Sequence, residues 1–211
     1  MTEIANTDQY QARNGDSGHR WVLEADRRDH ILAPVAEAVF AAAHLSAGEA
    51  VVDIGCGCGA TTLAAAHVVG STGAVYGIDL SEPMLGVARR RAEASGLANI
   101  TLVQGDVQTH RFPARFDAAV SRFGTMFFVD QTVALANIRR GLRPGGRLCL
   151  ATWQPLEAND WLTIPGAALL RYGDLPDTEA GAPGMFAQSD AEIVTTTLRA
   201  AGYADPQLAP C

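Results

Sequence analysis

The sequence predicts an α/β protein built on a doubly wound, mostly parallel sheet with helices on both faces. Short apolar runs of strand length alternate with helical runs from Val51 to Thr152, the rhythm of successive strand–helix–strand units. The first strand run passes directly into a glycine turn and then a helix start, Val51-Val52-Asp53-Ile54-Gly55-Cys56-Gly57-Cys58-Gly59-Ala60-Thr61-Thr62-Leu63. No internal repeat at solenoid spacing competes with this pattern. Right-handed crossovers between parallel strands then put helices on both faces.

Taken in order, Met1 to Arg20 is polar, with Asn14-Gly15-Asp16-Ser17-Gly18 as its turn signal. A helix is expected from about Trp21 to Ile31, and Pro34 opens another, Val35 to His44. Residues 1–45 thus form an N-terminal helical cap segment and 46–211 the main domain. Val51 to Ile54 is a β-branched strand suited to burial on both faces. The helix Thr61–Val69 follows and stops at Gly70. Ala74–Ile78 is the second strand, closed by Asp79, with Ser81 as N-cap and Pro83 in the first turn of a helix that Gly96 ends. Ile100–Gln104 and Phe116–Ser121 are the third and fourth strands, and Val133–Leu142 is the next helix. Pro144-Gly145-Gly146 reads as a turn into the fifth strand, Arg147–Thr152.

Residues 154–188 break the rhythm. Four of the ten prolines fall there together with Trp161, which suggests a lid-like insertion. Ser189-Asp190-Ala191-Glu192 has the pattern of a capping box for a helix to about Ala201. Tyr203 to Cys211 is long enough for one further strand and no more.

The charge balance is acidic, −7 over 211 residues, which argues against a general nucleic-acid binder. Arg89-Arg90-Arg91 is the only basic run and reads as a solvated helix face. All 16 basic residues are arginine, which excludes a P-loop lysine, a Schiff base and a Tyr-x-x-x-Lys pair. Cys56, Cys58, Cys149 and Cys211 lack zinc spacing, so no metal is expected, and they suit small packing positions in a reducing cytoplasm. No apolar run is long enough to span a membrane, and Met1–Asp26 is too polar for a secretory signal.

The glycine turn places unpaired helix N–H groups beside a backbone that a ligand can approach closely. Gly55-x-Gly57-x-x-Ala60 also satisfies the loose dinucleotide fingerprint. Asp53 tilts the choice, because an anion at the strand end repels a pyrophosphate and suits an ammonium or sulfonium. Asp79 ends the second strand 20 residues past Gly59, where a carboxylate takes both ribose hydroxyls. Leu80 offers an apolar face to adenine. Asp106 follows the third strand and suits the adenine amino group, with the Val107 N–H at the ring. Ser121-Arg122-Phe123-Gly124 leaves the fourth strand on the same side, where cofactor and acceptor meet. His19, His30 and His110 are the groups that titrate near neutrality, and none is singled out as catalytic.

Together, Val51–Leu63, Val75–Leu85 (VYGIDLSEPML), Gly105-Asp106-Val107, Phe116–Phe128 and Leu142–Trp153 (LRPGGRLCLATW) resemble the successive motifs of class I S-adenosylmethionine (SAM)-dependent methyltransferases. Asn14-Gly15 with Gly18 and Trp21, and the run SRFGTMFF, is similar to the bacterial UbiE-like, type 11/25 group. The pattern departs at Arg13, where an aromatic is expected. The resemblance implies a Rossmann-like methyltransferase fold with SAM as cofactor and a small-molecule acceptor. It implies Asp53, Gly55 and Gly57 around the methionine moiety, Asp79 and Leu80 at ribose and adenine, and Asp106 with Val107 at the adenine edge. Cys56, Met84 and Ser121 complete the expected cofactor-binding set.

The alternatives from the residues are a SAM-binding protein without catalysis and, opposed by Asp53, an NAD(P)-type oxidoreductase. Family members close the sheet with an antiparallel hairpin. Here that hairpin is expected to be incomplete, the chain to be part of a longer reading frame, and the open edge to self-associate. Pro206 and Pro210 make the tail a poor strand.

Overall fold

A computed structural model describes residues 3–113, 115–170, 172–173 and 182–210. Its centre is a five-stranded sheet in the order β3-β2-β1-β4-β5, with every pairing parallel. The strands are β1 (Ala50–Ile54), β2 (Ala74–Asp79), β3 (Ile100–Gln104), β4 (Phe116–Arg122) and β5 (Leu142–Ala151). The order reverses between β1 and β4, the switch point at which doubly wound sheets open a crevice.

Alternation along the strands feeds two cores. Val51, Val75, Ala118 and Val120 pack with α4 (Ala33–Ala43) and α5 (Ala60–Val69) on one face. On the other, Val52, Ile54 and Ile78 meet Leu135 and Ile138 of α7 (Gln131–Gly141), and Leu198 of α9 (Ala191–Ala200) packs against the same cluster. Between β2 and β3 lies α6 (Glu82–Ser95), capped by Ser81, whose Oγ accepts from the Met84 N–H, and ended by Gly96 in the left-handed region.

The N-terminal segment differs from its expectation. The polar stretch, where only a turn signal was read, forms α1 (Thr7–Asn14) and α2 (Asp16–Leu23), and the helix expected over 21–31 is divided at Glu24, where α3 (Ala25–Ile31) begins. No residue of α1 is buried, so its apolar pattern carries no signal. Specific bonds hold it instead. Asn14 Nδ2 donates to the Leu80 carbonyl, Asn14 Oδ1 accepts from the Glu82 N–H, and Ser81 Oγ donates to the Arg13 carbonyl. The division at Glu24 accompanies the burial of Ala25 against Cys58 and Met84, with Trp21 beside them.

Three further differences concern the second half. Pro144-Gly145-Gly146 lies within β5 as an irregularity, the pairing jumping from Phe116–Leu142 to Ala118–Arg147. Residues 154–188 hold regular structure after all, in α8 (Asp160–Leu169) with Pro165 inside it; positions 171 and 174–181 of that insertion lie outside the described residues. The capping box at Ser189 does not form. Asp190 is the N-cap of α9, accepting from the Glu192 and Ile193 N–H groups, while Ser189 Oγ donates to the Phe186 carbonyl. Among the described residues past Tyr203 there is no strand. The Tyr203 hydroxyl donates to the Leu135 carbonyl instead, seating the end of α9 on α7. No described helix is long and apolar enough to cross a membrane.

Candidate functional site

A cavity of about 810 Å³ opens at the carboxyl ends of the strands. That volume lies in the range of small-molecule sites, about 300–1,000 Å³. Its floor is the turn after β1, its sides are the ends of β2, β3 and β4, and its outer wall comes from α1–α3, Trp153 and Trp161. A smaller hollow of about 280 Å³, at Phe112 and Arg140, lies at the opposite ends of the strands and gathers no comparable set of groups.

The floor is shaped by glycines. Gly55 has φ +69°, and a Cβ there would stand 2.7 Å from Gly124 Cα; Gly57 has φ +53°, and a Cβ there would meet Met84 Cε at 2.8 Å. Both positions favour glycine for conformation, and Gly55 needs it for space as well, since its neighbour is backbone whereas the Met84 methyl can shift. The Gly55 and Cys56 N–H groups donate to the Ile78 carbonyl, tying the turn to β2.

Of the expected cofactor-binding residues, Gly55, Cys56, Gly57, Asp79, Leu80, Met84, Asp106 and Val107 all line this one cavity. Asp53 and Ser121 do not, and their roles are corrected accordingly. Asp53 is fully buried, and its Oδ2 accepts from the Thr61 and Thr62 hydroxyls at 2.6 Å each, which braces the first turn of α5. Burial raises its pKa, the two hydroxyls and the Arg122 charge opposing; its Oδ1 has no partner. Ser121 Oγ donates to the Ile54 carbonyl and accepts from the Gly124 N–H, so it clamps β4 to β1.

Asp79 and Asp106 have more to do than the sequence suggests. Asp79 Oδ2 accepts from the Gly57 N–H and Oδ1 from the Ser81 N–H, and loss of water raises its pKa against those bonds. Asp106 accepts from the N–H groups of Ala5, Asn6 and Gln108. A carboxylate offers about four lone-pair sites, so each retains capacity for a ligand hydroxyl or amino group.

Sequence reasoning passed over most of the outer wall. Asp29 of α3 accepts from Arg122 and Arg91 at 2.8 Å each, and Arg91 also donates to the Cys58 carbonyl. Arg91 is therefore a tie between α3, α6 and the glycine turn; of the run 89–91 only Arg90 is fully exposed. Phe123 holds φ +62°, rare for a bulky residue, and stacks on Trp153 with centroids 4.3 Å apart and planes 5° apart. Asn6 is buried with Nδ2 donating to the Phe127 carbonyl, which leaves Oδ1 unpartnered. The expected cap over 1–45, the lid-like insertion with Trp161 and the SRFGTMFF run had pointed toward this wall without naming these contacts.

Among the described residues no histidine lines the cavity. His110 bonds the Tyr76 hydroxyl, and burial lowers its pKa; His19 and His30 are exposed. Burial pushes the Cys58 thiol up to about 11 and Cys56 well above its ordinary value, so both are protonated at neutral pH and poor nucleophiles. The described cysteines are free, and no described group of His, Cys, Asp and Glu suits a metal. Glycines that open a cradle, two carboxylates with spare acceptor sites, apolar Leu80 and Met84, and the orphaned acceptor on Asn6 together fit an adenosine-type cofactor.

Comparison with known proteins agrees. The chain is 43% identical to the aklanonic acid methyltransferase DauC of a Streptomyces species, over 50% of this chain and 48% of that protein. It is 33% identical to the nocamycin O-methyltransferase of Saccharothrix syringae, over 75% of this chain and 60% of that protein. The chain spans about half the length of most curated relatives it matches. A SAM-dependent methyltransferase structure from Aquifex aeolicus superposes over 79% of this chain and 78% of its own, with TM-score 0.58 and 21% identity, a likeness of fold. Residues 51–146 match the family model described as a methyltransferase domain.

Proposed function

We propose that this protein moves a methyl group from SAM to a small-molecule acceptor by in-line displacement. The observation that carries this is the convergence of the glycine turn, Asp79 and Asp106 on one cavity at the sheet's switch point. Bound SAM supplies a methyl already activated by its sulfonium, so what the chain must add is alignment and removal of water. Asp79 takes the ribose hydroxyls, Leu80 lies on the adenine, Asp106 and Val107 meet its edge, and Gly55, Cys56, Gly57 and Met84 shape the methionyl end. Asp53 and Ser121 hold that floor from below. Residues 1–45 act as a cap over a SAM-binding domain, 46–211, and the insertion at about 154–188 serves as a lid that keeps water from the reacting methyl.

In a thermal-shift measurement, SAM and S-adenosylhomocysteine stabilise the protein, by about 2.7 kcal/mol at roughly 100 times the dissociation constant, while NAD(P) does not. Stabilisation by NAD and none by SAM would overturn the assignment. Hydrogen exchange in α1–α3 and α8 slows on adding S-adenosylhomocysteine; equal rates with and without it remove the lid and cap roles.

A second reading, a SAM-binding protein without catalysis, is favoured by the lack of any histidine, glutamate or lysine among the described residues of the cavity wall. Methyl release against a metabolite panel separates the two, since only the enzyme consumes SAM. We further propose a cytoplasmic location, supported by the free thiols of Cys56, Cys58 and Cys149, and self-association through β5, which pairs only with β4 among the described residues. A strictly monomeric protein in light scattering would remove the latter.

A further inference from the structure

Among the described residues four arginines line the cavity, and two of them are paired: Arg122 with Asp29 at 2.8 Å and Arg27 with Glu24 at 3.4 Å. The other two are not. Among the described residues, neither Arg13 nor Arg28 has a carboxylate within ion-pair distance or a side-chain hydrogen bond. Both lie against the Trp21 ring, Arg28 at 3.9 Å from its centroid and Arg13 at 5.9 Å, and Arg13 is also 4.4 Å from the Phe127 ring. Ring faces hold a guanidinium in place while leaving its five N–H donors free.

Two neighbouring cations without a counter-ion are costly in a partly dry site. Burial holds the Arg13 pKa below its ordinary value, with Asp79 opposing and Arg28 adding a smaller downward push. The cofactor does not relieve this. SAM brings a sulfonium and an ammonium against one carboxylate, so the loaded cavity is more positive still. An anionic group on the other ligand would supply the side-chain partner that Arg13 and Arg28 lack. The same cavity carries a flat apolar shelf, the Phe123–Trp153 stack, with Trp161 5.1 Å from Trp153.

We propose that Arg13 and Arg28 form an anion subsite for the carboxylate of the methyl acceptor, whose planar, largely apolar body lies against Phe123 and Trp153. This rests on the methyl-transfer reading of the cavity and names the acceptor class within it. The guanidinium fork matches a carboxylate in shape as well as charge.

The test compares 2-naphthoate with its uncharged isostere 2-naphthamide, each titrated by quenching of tryptophan fluorescence with S-adenosylhomocysteine saturating. Wild-type protein binds the naphthoate about tenfold more tightly, the scale of one charge-assisted hydrogen bond. In Arg13→Met/Arg28→Met that preference falls to about threefold or less, while S-adenosylhomocysteine affinity stays within about twofold. Equal binding of the two probes by the wild type overturns the proposal, and that comparison needs no variant should the double substitution fail to fold. A variant that loses S-adenosylhomocysteine but keeps 5′-methylthioadenosine, which lacks the amino-acid carboxylate, also overturns it by giving the arginines to the cofactor. Failure of the wild type to bind S-adenosylhomocysteine would instead defeat the methyltransferase reading; the probe comparison without cofactor then still decides the subsite.

Discussion

The inner and outer walls of the cavity are held by different forces. The inner wall, formed by the ends of β1 to β4, is fixed by ladder hydrogen bonds and by carboxylates that accept backbone N–H groups, as Asp79 does from Gly57 and Ser81. The outer wall, α1 to α3 with α8, has short helices and few buried side chains, and rests on side-chain bonds such as those of Asn14 and Asp29. Rigid elements suit a constant ligand, whereas a wall held by a handful of polar contacts opens at lower cost. In this protein the groups suited to the cofactor lie on the first wall and those suited to the acceptor lie mainly on the second.

Substitutions can break or sharpen that contrast. The largest effect belongs to Gly55→Ala, which needs a left-handed alanine 2.7 Å from Gly124 Cα. It should cost about 2–5 kcal/mol of stability from backbone strain and overpacking combined. A urea midpoint close to wild type would mean that the floor yields and is not rigid. Next, Asp79→Ala should weaken S-adenosylhomocysteine binding by about 1.5–3 kcal/mol in calorimetry, and should also destabilise the fold by leaving two N–H groups unpaired. Unchanged affinity in a folded variant would move the ribose contact elsewhere.

On the outer wall, Asp29→Ala removes the acceptor shared by Arg91 and Arg122. The group is 22% exposed, so the loss should be about 1–2 kcal/mol, below the cost of breaking a fully buried pair. Exchange should quicken in α3 and not in β1; equal acceleration in both would erase the contrast between the walls. The smallest effect is a pH dependence. Asp53 has its pKa raised by burial, so its contribution to stability is full below the unfolded value near pH 4 and is lost as pH rises through the folded value. Asp53→Asn should therefore gain on the wild type as pH rises above about 4 in denaturation curves. A difference that stays flat with pH would show that Asp53 is not under this strain.

Most of the inner wall was legible because its signals are local. A β-branched run, alternate glycines and an acid at each strand end are read within a dozen residues, and β3 (Ile100–Gln104) was bounded correctly. Asp53 and Ser121 show the limit of such signals. Their positions at strand ends are right, but whether a side chain faces the ligand or the next element depends on Thr61, Thr62 and Ile54 across the fold. Arg13 stood out only as a departure from an expected aromatic, and Arg28 and Asn6 gave no local sign, because their meaning comes from partners far along the chain or from an absence of partners. The misplaced cap of α9 is a smaller matter, since Ser189 and Asp190 are both good N-cap residues side by side.

The N-terminal contacts carry a consequence for biosynthesis. The N–H groups of Ala5 and Asn6 end on Asp106, sequence separations of 101 and 100, and Asn14 closes on Leu80 and Glu82. Helices of seven or eight residues such as α1 to α3 are not stable alone in water. The segment 3–31 therefore has nowhere to settle until β3 and the turn beyond it exist. It is made before its partners and docks late, so during synthesis the cavity is complete in its floor before it has a roof.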